Sequence, residues 1–94
     1  AGTHAELDGI TLLDVQPDET VRVVEISGAC QGTQRRRLLD LGVVRGTEIT
    51  PELVSAAGDP VAYRIRGALI ALRGAQASWI AVERTENQDA AEVA

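Results

Sequence analysis

The sequence predicts a mainly β domain, a small barrel of about five short antiparallel strands with one short helix inserted after the first long strand. Short β-branched segments recur between breaks that contain Gly or Pro. A single helical pattern, in residues 32–46, carries its own start and stop signals. The strand patterns do not alternate with helices, which argues against a parallel sheet built from βαβ units.

Taken in order, residues 1–9 hold little apolar content and are expected to form a flexible N-terminal segment, with residues 10–83 as the single folded domain. Residues 10–14 give a short apolar entry, and Pro17 with Asp18 and Glu19 signals a turn. Residues 20–26, TVRVVEI, read as the first long strand, with Val21 and Val23 on one face and Val24 and Ile26 on the other. That change of face implies either burial on both sides or a bulge. Residues 27–31 are a loop.

The helix in GTQRRRLLDLGVVRG has Thr33 as its expected N-cap. Leu38 and Leu41 share a face with Gln34, and Leu39 is expected to widen that apolar stripe. Gly42 suits the left-handed residue that ends a helix, and Val43 can fold back on Leu38 in a Schellman stop. Gly46 fits the third position of a type II turn over Val44, Arg45, Gly46 and Thr47. A helix this short is marginal alone, so its leucine face needs the barrel as cover.

Residues 47–55 read as a strand with Ile49 and Leu53 on one face, and Pro51 places it at an edge or a bulge. Ala57 to Pro60 should close a hairpin. In residues 61–66 Val61, Tyr63 and Ile65 alternate with Ala62, Arg64 and Arg66, the mark of a half-buried strand. Gly67 permits a sharp bend into residues 68–73, whose compact apolar run reads as a more fully buried strand. Residues 74–79 look like one helical turn and 80–83 like a last short strand. Residues 84–94 are polar, small or acidic and are expected to be a disordered tail.

Apolar residues make up 45 % of the 94, yet there is no Phe or Met and only one Tyr and one Trp, so the core packs small branched side chains and a deep aromatic-lined pocket is not expected. One cysteine, Cys30, excludes an internal disulfide, and no signal-peptide pattern is present. The longest apolar run is far below the roughly twenty residues that cross a bilayer, so no membrane insertion is expected and a cytoplasmic location is the default. The net charge is −5, but its sign is uneven. Residues 32–46 carry Arg35, Arg36, Arg37 and Arg45 against Asp40 alone, a basic island between acidic ends. Such charge steers partners.

Three segments in order, TLLDVQPDETVRVVEI, GTQRRRLLDLGVVRGTEI and GDPVAYRIRGALIALRGAQASWIAVE, resemble the FeoA family across residues 11–83. The most specific signals are Arg36-Arg37-Leu38 followed by Leu41-Gly42 and Gly46, then Gly58-Asp59-Pro60, Arg66-Gly67 and Leu72-Arg73. Two turns depart from the family's common Pro-Gly pair, with Asp18-Glu19 and Arg45-Gly46 in their place. The resemblance implies an SH3-like barrel and a non-catalytic accessory role in bacterial ferrous iron uptake. The implied partner is the cytoplasmic GTP-binding domain of a FeoB-type transporter. The alternative it implies is the regulatory SH3-like domain of an iron-dependent repressor of the diphtheria-toxin-repressor type. Within the 94 residues no helix-turn-helix pattern precedes the barrel, so the accessory role is the expectation unless the chain belongs to a longer regulator.

No catalytic constellation is visible, because Cys30 and His4 are the only thiol and imidazole and His4 falls in the N-terminal segment. No catalytic, cofactor-binding or metal-ligating residue is assigned. Two such ligands fall short of the four of a structural zinc site, so the resemblance leaves room only for weak ferrous iron binding. Nucleic acid is not the expected partner, since the charge opposes phosphate and only Tyr63 and Trp79 could stack on bases. Partner docking is assigned to Arg35, Arg36, Arg37, Arg45 and Trp79. On a helix the three consecutive arginines point about 100° apart, so they do not serve one contact.

Overall fold

The computed structural model describes residues 10–85. The expected flexible segment 1–9 and most of the expected tail, 86–94, lie outside the described residues. Six strands form one antiparallel sheet: β1 (Ile10–Thr11), β2 (Val21–Ile26), β3 (Glu48–Val54), β4 (Val61–Ile65), β5 (Ala68–Leu72) and β6 (Ile80–Arg84). Their order is β1-β6-β2-β3-β4-β5, so the first and last strands of the chain pair near one edge and the β4–β5 hairpin forms the other. The sixth strand beyond the expected five is β1, whose two residues pair with Val82 and Ala81. A 3₁₀ turn at Leu12–Asp14 follows at once, boxed by Thr11, whose hydroxyl accepts from Leu13 N–H while its own N–H donates to Asp14.

The change of face in β2 is a bulge. Its register with β6 shifts between Val23 and Glu25, so Val21, Val23 and Ile26 all reach the core despite their odd spacing. A second bulge falls between Pro51 and Leu53 of β3. Pro51 therefore sits at an irregularity of an interior strand, is itself buried, and its carbonyl accepts from Asp18 N–H at 2.8 Å. The same bulge separates the faces of Ile49 and Leu53: Ile49 is fully buried and Leu53 is 60 % exposed, which corrects their expected pairing.

The helix α1 covers Gly32–Asp40. Its N-cap is Gln31, not Thr33, and no side chain caps it. Gly32 enters with φ +63, a conformation that places the turn of the chain one residue earlier than the Thr33 hydroxyl signal implied. The C-terminal end follows the sequence closely. Gly42 N–H donates to Leu39 O and Val43 N–H to Leu38 O, both at 3.0 Å, the two bonds of a Schellman stop. Leu38 and Val43 are fully buried, whereas Leu39 is 43 % exposed and does not widen the buried stripe. Thr47 N–H then donates to Val44 O with Gly46 at φ +92, the expected type II turn. Gly46 N–H and Thr47 O bond the carbonyl and amide of Val23, which hooks this turn onto the β2 bulge.

The β5 run is not the buried strand its composition suggested. Only Leu72 is buried and Leu69 is 43 % exposed, because β5 ends the sheet and lacks a neighbour beyond it. The short helix α2 (Gly74–Ala77) then crosses to β6, and Asp59 accepts from Gly74 N–H at 2.8 Å, tying the β3–β4 turn to it. β6 runs one residue past the expected boundary, through Arg84, and Thr85 is buried with its hydroxyl donating to Thr20 O. Arg84 also pairs with Glu19. Burial leaves the Tyr63 phenol with a raised pKa, and the nearby Asp59 adds to the rise.

Two outcomes follow from this packing. Leu38→Ala should cost about 2–5 kcal/mol in urea unfolding while Leu39→Ala changes stability by about 0.5 kcal/mol or less. Gly42→Ala should cost about 1–3 kcal/mol, and adding Arg66→Ala should not restore it, because relief of the contact with Arg66 leaves the positive φ in place.

A third outcome concerns pH. The Gln16 N–H bond holds the Glu19 carboxyl below the usual range; burial opposes this and Arg84 reinforces it. A depressed folded value contributes stability above the unfolded pKa of about 4.3 and loses it as pH falls through the folded value. The drop in urea midpoint between neutral pH and about pH 3 should therefore be smaller for Glu19→Gln than for the parent.

Candidate docking surface

The five residues assigned to docking do not converge. Arg35 turns back onto the chain: its Nη1 donates to the carbonyls of Ile26, Ser27 and Cys30 at 3.2–3.3 Å. Ser27 N–H in turn donates to Trp79 O, so Arg35 and the Trp79 backbone brace the same loop. Trp79 is half-buried against the core. These two residues hold the β2–α1 connection, and the sequence showed no sign of it because the acceptors are main-chain carbonyls. Cys30 in that loop is fully buried with a free thiol.

Arg36 and Arg37 are exposed and diverge around the helix, as the 100° step requires. Arg36 stands by Leu39 and Asp40, and Arg37 faces β5 across a groove. Arg45 is exposed in the type II turn. Among the described residues none of Arg36, Arg37 and Arg45 forms an ion pair, with Asp40 or with any other acid. The acids pair elsewhere: Glu48 and Glu83 with Arg22, Glu52 with Arg64, and Glu19 with Arg84. The double hydrogen bond from Arg64 holds the Glu52 carboxyl below its usual range.

One arginine that sequence reasoning did not assign to docking belongs here. Arg66, at φ +51 in the β4–β5 turn, lays its stem across Gly42, where a Cβ would stand 2.2 Å from its Cδ. A shallow depression beside it is walled by Leu39, Leu41, Val44 and Ala68. Leu39 and Val44 are 43 % and 38 % exposed, two aliphatic side chains left on the surface beside the stop of the helix. The outer face of α1 and its following turn thus present two exposed aliphatic side chains near Arg36, Arg66 and Asp40, with Arg45 next to Val44 in the turn. Such a surface suits contact with an amphipathic, acidic protein face, with apolar burial supplying affinity and the arginines orientation. The signal for Arg66 lay in the Arg66-Gly67 pair, a two-residue hairpin turn that carries the arginine back over α1.

Among the described residues no three His, Cys, Asp or Glu side chains come together as a metal site, and His4 lies outside them. No helix among the described residues is long and apolar enough to cross a membrane.

No curated protein matches the sequence. The solved structure of a FeoA-like protein from Clostridium acetobutylicum is 40 % identical, with 82 % of this chain and 87 % of that one covered and a TM-score of 0.73. Stenotrophomonas maltophilia FeoA, solved with zinc and described as a prokaryotic SH3 domain protein, is 23 % identical over 79 % of this chain and 89 % of its own, at a TM-score of 0.69. T. acidophilum IdeR is 23 % identical over 81 % of this chain but 34 % of its own, at 0.65. These last two show the fold alone, an SH3-like arrangement of the sheet. A family model for the FeoA domain matches residues 10–84, and with the 40 % identical relative this shows that the chain belongs to the FeoA family.

Proposed function

We propose that this protein is a non-catalytic cytoplasmic accessory of ferrous iron uptake that docks on the cytoplasmic GTP-binding domain of a FeoB-type transporter. Family membership supports the iron-uptake role. The observation that supports docking is the outer face of α1, where Leu39 and Val44 are exposed among arginines that no acid of the described residues neutralises. Among the described residues Glu19, Glu48, Glu52 and Glu83 pair with Arg22, Arg64 and Arg84, and none of them pairs with an arginine of this face.

Ferrous iron is cargo of the partner in this reading, and any direct contact with this chain is weak. The regulatory-domain reading draws on the IdeR likeness, which at 23 % identity supports the fold and nothing finer.

Docking is tested by calorimetric titration with the cognate GTP-binding domain. Arg36→Glu with Arg45→Glu should raise Kd by about tenfold or more, roughly 1.4 kcal/mol, with the parent's affinity falling as salt rises. Arg35→Glu should instead lower the unfolding midpoint, since its role is to brace the loop. Unchanged binding by the Arg36/Arg45 variant would remove the α1 face from the interface.

A further inference from the structure

β5 has β4 on one side and no strand on the other. Arg66 and Gly67, at φ +51 and +83, make a two-residue hairpin turn, so Ile65 and Ala68 are a hydrogen-bonded pair. Alternation along an antiparallel ladder makes Tyr63 with Ile70, and Val61 with Leu72, the next such pairs. Leu69 and Ala71 consequently direct their N–H and C=O groups away from β4, toward the open edge. No turn, loop or cap hydrogen bond of the described residues takes those groups up.

A groove of about 630 Å³ follows this edge between α1 and α2. Ile70, Ala71, Leu72 and Arg73 line it in succession. Consecutive residues of a strand share one groove only along its edge, because their side chains alternate between faces. Arg37 and Leu41 stand across from them. The charged groups of the wall are Arg37 and Arg73; no Asp or Glu lines it, although the chain holds 14 acids against nine arginines. Neither arginine forms an ion pair among the described residues, and Asp59 beside α2 is engaged by Gly74 N–H.

We infer that the open edge of β5 accepts an extended acidic segment of the GTP-binding partner as an added strand. Leu69 and Ala71 supply the ladder bonds and Arg37 and Arg73 hold carboxylates of the segment. The inference rests on the docking reading above and names the chemistry of what is docked. A second copy of this chain fits the edge poorly, since it would bring its own Arg37 and Arg73 to the same groove. A small ligand fits poorly as well, because the groove is open along the strand edge and does not enclose an occupant.

The test is amide hydrogen exchange on the labelled full chain, alone and with the cognate GTP-binding domain. The Leu69 and Ala71 amides should exchange fast in the free protein and about tenfold or more slowly in the complex, while Ile70, already bonded to β4, is protected in both. Ala71→Pro removes only an outward N–H, which an edge strand tolerates, and should raise Kd by about tenfold or more with the free spectrum otherwise intact. Arg37→Glu with Arg73→Glu is the independent variant and should weaken binding and flatten its salt dependence. If the domain binds with Leu69 and Ala71 unprotected and Ala71→Pro at parental affinity, the edge inference is overturned while docking stands. If the domain does not bind at all, both fall. Protection in the free protein that grows with concentration would assign the edge to a second copy and overturn the inference.

Discussion

Leu38 and Val43 are the two large side chains of residues 32–46 that are fully buried, and they lie on either side of the Schellman stop. Nine helical residues with a single buried side chain do not hold together in water. Burial of two aliphatic side chains of this size contributes about 1.5–3 kcal/mol each, enough to hold the segment on the barrel. Gly42 makes both burials compatible, because its φ of +101 sends the chain back so that Val43 lands beside Leu38. The same reversal has a surface consequence. It leaves Leu39 and Val44 outside, and it leaves room at Gly42 for the stem of Arg66.

The barrel is shaped by its two bulges. The one in β2 brings Val23 and Ile26 to the same core and leaves the Val23 amide and carbonyl to bond Thr47 and Gly46. The one in β3 lets Pro51 sit in an interior strand and sends Leu53 outward. Both re-aim side chains at a point where regular alternation would have broken the core. The end of β6 is fixed from another direction, by Arg84 on Glu19 and Thr85 on Thr20.

Much of this was legible in the residues. The helix stop, the type II turn at Gly46, the change of face in β2 and the alternation of β4 each rest on local rules, a positive φ or a period of two, and each is present in the structure, which resolves the change of face as a bulge. The sequence could not place what depends on neighbours. Residues 68–72 have the composition of a buried strand, yet β5 lies at the sheet edge, and only the order of strands decides that. Leu53 needed the bulge, and Thr33 lost the cap to Gln31 once Gly32 adopted φ +63. For the surface, the basic island was visible in residues 32–46, but its division into one structural arginine and several exposed ones was not. Arg35 spends its donors on three carbonyls that carry no signature in a one-dimensional reading.

The surface left over combines exposed aliphatic groups, unneutralised arginines and an open strand edge on adjacent parts of α1 and β5. All three follow from how the helix is stopped and the hairpin is turned, so the docking proposed above would use the fold's periphery and not a pocket. The most direct measurement is an NMR titration of the labelled chain with the cognate GTP-binding domain. Docking through α1 and β5 should concentrate the shifts on residues 36–46 and 66–73 and leave β1 and β6 unmoved. Shifts confined to β1, β6 or the 16–19 turn, or no shifts at all, would contradict it.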